Sequence, residues 1–91
     1  MKVVFGARAR RELMAQIDWL VDRAPTSAVR AADHLAAALD LLRDFPLAAP
    51  VVGEHHRDIT VPFGRDGFVL RYRVEGEVVT IVRVFHGRQR R

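Results

Sequence analysis

The run "FVLRYRVEGEVVTIVRVFHGRQRR", Phe68 to Arg91, commits this chain to a sheet. Phe68, Leu70, Tyr72 and Val74 alternate with Val69, Arg71 and Arg73, the period of two expected of a strand with one buried face. "EGE" (Glu75 to Glu77) then reads as a tight hairpin turn. "VVTIVRVF" is apolar on both faces apart from Thr80 and Arg83, which fits a central strand. Counting outward from the turn puts Ile81 and Val79 opposite Arg71 and Arg73 and leaves Arg83 near Val69. Whether Arg83 shares a face with Arg71 therefore depends on register. The run ends with His86, Arg88, Arg90 and Arg91 and has no acidic residue after Glu77.

Upstream the period is two again in "DITVPF", where Ile59, Val61 and Phe63 share a side and Pro62 marks a strand end or edge. "GRDG" (Gly64 to Gly67) makes the connecting turn. "PLAAPVVGEHH" carries two prolines and a glycine and reads as a loop. Before it, the period is helical. Ala9, Leu13, Ile17, Leu20 and Val21 recur at spacings of three and four, predicting an amphipathic helix from Ala7 to about Arg23. Pro25 interrupts it, and Thr26 or Ser27 is placed to cap a second helix running to about Asp44. That helix has Ala28, Ala32, Leu35, Leu39 and Leu42 on one face, and Phe45-Pro46 ends it. "KVVF" (Lys2 to Phe5), stopped by Gly6, is long enough for one strand.

The order is strand, helix, helix, strand, strand, strand. It predicts one α+β domain over residues 1–91, with a helical hairpin packed on a twisted, mostly antiparallel four-stranded sheet. Ninety-one residues, 49% of them hydrophobic, suffice for one modest core. There is no Cys, so packing alone must hold the fold. No apolar run approaches a membrane span and no signal-peptide h-region is present, so a cytoplasmic protein is expected. Net charge is +4, and all but one of the fifteen basic residues are Arg, which suits bidentate contact with phosphate or carboxylate.

Three stretches together carry a family likeness: "ARARRELMAQIDWLVDRAPTSA", "LLRDFPLAAPVVG" and "DITVPFGRDGFVLRYRVEGEVVTIVRVFHGRQ". In that order and spacing, from Val3 to about Arg90, the chain resembles the ParE/RelE superfamily of toxins from bacterial type II toxin–antitoxin systems. The resemblance implies a growth-inhibiting toxin, as in plasmid stabilisation, held in a hetero-oligomeric complex by a cognate antitoxin protein, with no cofactor. Two kinds of target occur in the superfamily. ParE-like members poison DNA gyrase without hydrolysis, and RelE-like members act on the ribosome as metal-independent mRNA endonucleases. The lysines of RelE-like strands are replaced here by Asp58 and Thr60, the expected Arg falls at Val69 or, with a slip of two, at Arg71, and no Tyr follows Tyr72. Other RNA-cutting members use a Glu, an Arg and a His-Tyr pair, but Gly87 follows His86. A nuclease would therefore rest on His86, Arg71, Arg88 and Glu54. "RVFHGRQRR" is closer to the ParE-like ending, which favours gyrase.

On that reading Arg83, His86, Arg88, Arg90 and Arg91 bind the target, and Arg71, Arg73 and Trp19 bind the antitoxin. Trp19, off the Leu13–Ile17–Leu20 line, is either a packing anchor against the second helix, the favoured reading of the residue by itself, or part of a partner surface. A solvated tail and a plain basic nucleic-acid-binding module remain competing readings of the same charge. His55 and His56 point to opposite sides of an extended segment, so no metal site is expected with His86.

Overall fold

A computed structural model describes residues 1–89. Strand β1 (Lys2–Phe5) leads into helices α1 (Ala7–Arg23) and α2 (Pro25–Asp44), followed by strands β2 (Val51–Val52), β3 (His56–Val61), β4 (Phe68–Glu75) and β5 (Val78–His86) and a 3₁₀ turn, Gly87–Gln89. The sheet order is β1-β5-β4-β3-β2, with β1 parallel to β5 and every other pair antiparallel. The expected α+β class and the mostly antiparallel sheet are both present. The sheet has one more strand than expected, because Val51 and Val52 pair with Arg57 and His56 inside the stretch read as a loop. Two residues between Pro50 and Gly53 are too few to give a period.

One residue, Ala24, joins the helices. Its N–H donates to Leu20 O, ending α1, and its carbonyl accepts from Ala28 N, starting α2. Neither Thr26 nor Ser27 caps α2. The helix starts earlier, with Pro25 in its first turn, where a residue without an N–H leaves no donor to satisfy.

Both helices lie on one face of the sheet. Ala9 and Leu20 of α1 and Ala31, Ala38 and Leu42 of α2 are buried against Val61, Phe68, Leu70, Tyr72, Val79, Ile81 and Val84. The small alanines let the helix backbones come close, so the core is thin and its large side chains come from the sheet. Compared with the expected face, α2 is rotated toward Ala31 and Ala38, and Ala32 is exposed. In a helix with so many alanines the apolar stripe is weakly marked. Val21, expected inside, is 52% exposed.

The hairpin turn is as read: Gly76-Glu77 connects β4 to β5, with Gly76 at φ 59°, which suits the first position of a tight two-residue hairpin loop. Beyond it the register departs from simple counting. Tyr72 pairs with Ile81, but Arg71 pairs with Arg83, so Val82 is an extra residue in β5. The two-residue Gly76-Glu77 loop already places Thr80, not Val79, opposite Arg73, and the β-bulge moves everything after it by one further position, so that Arg71 meets Arg83 and not Ile81. Arg83 lies opposite Arg71 rather than Val69, Phe85 lies opposite Val69, and Val84 and His86 face the helices with Leu70 and Phe68.

Candidate functional site

The bulge sorts the charged residues of the hairpin onto two faces. On the face away from the helices, Arg71 and Arg83 are cross-strand neighbours, two like charges placed where they repel. Each has its own carboxylate. Arg71 donates from Nε and Nη2 to the two oxygens of Asp58 on β3, at 2.9 and 3.0 Å. This side-chain hydrogen bond raises the Arg71 pKa above its ordinary value, against the opposing effect of burial. Asp58 is itself buried.

Arg83 donates from Nε to both oxygens of Glu12 on α1, at 3.1 and 3.0 Å. Glu12 also accepts from Val84 N at 2.9 Å. Strand β1 ends at Phe5, so beyond Ile81 the outer edge of β5 has no strand partner. Glu12 takes over that role at the bulge, and a backbone donor that would otherwise be stranded is satisfied.

Phe85 lies between the two guanidinium groups, with its centroid 5.2 Å from Arg71 Cζ and 5.5 Å from Arg83 Cζ. The two arginines border a recess of about 360 Å³ lined also by Phe85 and Gln89. Arg73, further along β4, is paired with Glu75.

The other face of the hairpin's end opens beside α1. A cleft of about 580 Å³ is lined by Trp19, Leu20, Phe63, Phe68, His86 and Arg88 among others. The Phe63 and Phe68 rings are parallel, 5.1 Å apart. Trp19 is 53% exposed and carries Arg23 over its ring at 4.7 Å from the centroid. The side chain thus stands at the surface instead of anchoring α1 to α2.

The start of the C-terminal tail is fastened down. Gly87 N donates to Gly67 O at 2.9 Å, and Arg88 Nε donates to Asp66 Oδ2 at 3.1 Å. His86 N donates to Gln89 Oε1, and Arg88 N donates to His86 Nδ1, which leaves Nε2 of the neutral ring to carry the proton. A Cβ on Gly87 would overlap the Asp66 carbonyl oxygen. Through Gln89, then, the tail is a built turn on the β3–β4 connection. Arg90 and Arg91 lie outside the described residues.

Glu54 is elsewhere. It sits in the turn between β2 and β3, exposed, within 3.5 Å of His55 Nε2. That turn is at the Arg73 end of β4, whereas His86 is opposite Phe68 at the other end. Five residues of strand separate the two ends by about 17 Å. The structure thus brings Arg71 and Arg83 together and His86, Arg88 and Trp19 together, but it does not assemble His86, Arg71 and Glu54. Among the described residues no three His, Cys, Asp or Glu side chains are placed to share a metal ion. Glu12, Phe85, Asp66 and Gln89 were not singled out from sequence. Their partners lie up to 72 residues away, and nothing local marks them.

The fold matches a solved chain from the structure described as "Chromosomal ParDE TA system from P. aeruginosa", with TM-score 0.74 and 22% identity over 94% of this chain and 95% of that one. A family model described as "ParE toxin of type II toxin-antitoxin system, parDE" matches residues 3–91. Two relatives from Caulobacter vibrioides are similar over 98% of the chain. "Toxin RelE1" is 40% identical, with 96% of its own length covered, and "Toxin RelE3" is 37% identical, with 97% covered. The helix-backed sheet and its basic hairpin therefore define a small toxin of the type II toxin–antitoxin class. Within that class, the chain belongs to the ParE toxin family. Membership implies a cognate antitoxin as partner.

Proposed function

We propose that this toxin poisons DNA gyrase by binding it, in the cytoplasm, and is silenced when its antitoxin covers the same molecule. The observation that supports this reading is the placement of His86 and Arg71 on opposite faces of the hairpin. Cleaving RNA without a metal needs a base for the 2′-OH, an acid for the leaving oxygen and cations for the phosphorane, all within hydrogen-bond reach of one phosphate. Here His86 faces the cleft beside α1, Arg71 is held by Asp58 on the outer face, and Glu54 is at the far end of the strand. Asp58, at a position where RelE-like enzymes carry a lysine, is engaged with Arg71. A binding surface does not require these groups to converge.

The target surface in this proposal is the fastened turn with His86, Arg88 and the following Arg90 and Arg91, joined by Arg83. The antitoxin meets Arg71, Arg73 and Trp19, with acidic residues directed to the guanidinium Nη groups left over from the pairs with Asp58 and Glu75. The second reading, ribosome-dependent mRNA cleavage, is favoured by the names of the two Caulobacter relatives. A gyrase supercoiling and DNA-cleavage assay with purified toxin, with and without antitoxin, tests the proposal. Inhibition with accumulation of cleaved DNA, reversed by antitoxin and reduced by deleting residues 88–91, is the expected result. Untouched gyrase together with mRNA cut on ribosomes, and loss of that cutting in His86→Ala, would establish the endonuclease instead.

A further inference from the structure

We infer that the cleft between α1 and the C-terminal turn is the part of the target surface that supplies affinity, with Trp19 as its aromatic anchor, and that its occupant is an acidic segment of the target protein presenting one large apolar side chain. The inference rests on the reading of the chain as a gyrase-directed toxin. It gives Trp19 to the target as well as to the antitoxin, which would cover the same cleft, and so adds a residue of α1 to the surface made by Arg83 and the tail.

Four observations carry it. The cleft is continuous with the tail, because His86, Arg88 and Gln89 form one wall and Trp19 and Leu20 the other. Its floor is the parallel Phe63–Phe68 pair, so the interior is apolar and the polar groups lie on the rim, which is how sites that bury an anchoring side chain are built. Trp19 leaves 53% of its surface in water on a helix whose neighbours Ala9 and Leu20 are buried, although a large aromatic gains more than most residues by burial. The rim is basic. Arg23 covers the Trp19 ring and Arg88 faces it across the cleft, while Arg90 and Arg91 follow in sequence.

Asp66 neutralises Arg88 in an ion pair, so the net positive charge beside the cleft comes from Arg23 and, in sequence, from Arg90 and Arg91. On α1, Ala15, Gln16, Trp19 and Leu20 line the cleft and Arg23 continues the stripe one turn on, whereas the helical period carries Asp18 and Asp22 to its flank. An acidic segment with an apolar anchor meets both requirements, and a nucleic-acid strand would leave the phenyl floor without a side chain to bury.

Trp19 is the sole tryptophan of the chain, which provides a direct probe. The toxin is labelled with 5-fluorotryptophan and its single ¹⁹F resonance is followed as unlabelled gyrase is added. Gyrase inhibition is measured in parallel for the wild type, Trp19→Ala, Trp19→Phe and Val29→Ala, the last removing an exposed apolar side chain of α2 outside the cleft. The expected result is a shifted or broadened resonance with gyrase, inhibition weakened about tenfold or more by Trp19→Ala and less by Trp19→Phe, and no change with Val29→Ala. Full potency of Trp19→Ala with an unmoved resonance would overturn the inference and leave the gyrase reading intact. Absence of inhibition by the wild-type toxin would overturn both. A resonance moved by antitoxin and not by gyrase would assign the cleft to the antitoxin and overturn the choice of occupant.

Discussion

Arg71 and Arg83 face each other across two adjacent strands and are kept compatible by carboxylates from opposite directions, Asp58 from the sheet and Glu12 from a helix. Two adjacent cations are thus flanked by one acid on either side, with the Phe85 ring beside both guanidiniums. Removing either acid leaves two neighbouring cations with one counter-charge.

Asp58→Asn is the more severe of the two losses, because Asp58 is buried and bidentate. Unfolding in urea should show a loss of about 2–3 kcal/mol, below the roughly 3–5 kcal/mol of a fully buried pair because the Arg71 side chain left behind is 20% exposed. The double change Asp58→Leu with Arg71→Met, which removes both charges, should recover most of it. A double variant as unstable as Asp58→Asn would mean that packing, and not charge, is what Asp58 contributes.

Glu12→Ala strands the bulge amide of Val84 as well as Arg83. The expected cost is about 1–3 kcal/mol. Amide hydrogen exchange separates the two effects, since the Val84 N–H should lose protection while Leu70 on the neighbouring strand keeps it. Glu12→Gln retains an oxygen for Val84 N and should exchange more slowly than Glu12→Ala.

Gly87→Ala forces the C-terminal turn off the β3–β4 connection, because its Cβ would occupy the position of the Asp66 carbonyl oxygen. The Gly87–Gly67 hydrogen bond and the Arg88–Asp66 pair should be lost together. Toxicity should fall by at least tenfold if the fixed direction of the tail matters, while the melting temperature drops by roughly 4–8 °C, equivalent to about 1 kcal/mol. Unchanged toxicity would show that the tail acts as a free basic segment.

Tyr72 is the only tyrosine, is buried, and donates from its hydroxyl to Pro46 O at 2.8 Å. Burial pushes its phenol above the ordinary value, only partly offset by the Ala49 backbone and the charge of Arg57. A folded pKa above the unfolded one means that the fold favours the neutral phenol. Its contribution is complete below about pH 10 and is lost as pH rises from there through the folded pKa. Phenolate absorbance should therefore appear later in the folded chain than in urea. Tyr72→Phe should cost about 1 kcal/mol near neutral pH and remove this part of the alkaline instability.

The features legible in sequence were those with a local signal. Two helical periods, the Gly76 turn and the alternation of β4 are each contained within a single element or turn, and together they specify the element order. Strand β5 hid its irregularity because "VVTIVRVF" is apolar on both sides, so an extra Val82 leaves no mark on the pattern. The pairs Asp58–Arg71 and Glu12–Arg83 span 13 and 71 residues, and the second depends on that hidden register. His86 and Arg88 stood out because they end a strand in an acid-free segment. Trp19 stood out only as off the helical line, and its place beside them required the third dimension.

The Val82 bulge also bears on how such a toxin changes over time. Were Val82 instead to pair with Arg71, the same strand without its bulge would exchange the two faces downstream: Phe85 would turn toward the helices, and His86 would come to the same side as Arg71 and Asp58. A histidine, an arginine and a carboxylate would then share one surface without any substitution at those three positions. A one-residue slip of register in β5 is in this sense a short path between a surface that only grips and one on which acid–base groups meet, and deletion of Val82, which leaves the pairing of Arg83 through His86 as it is, would close that path.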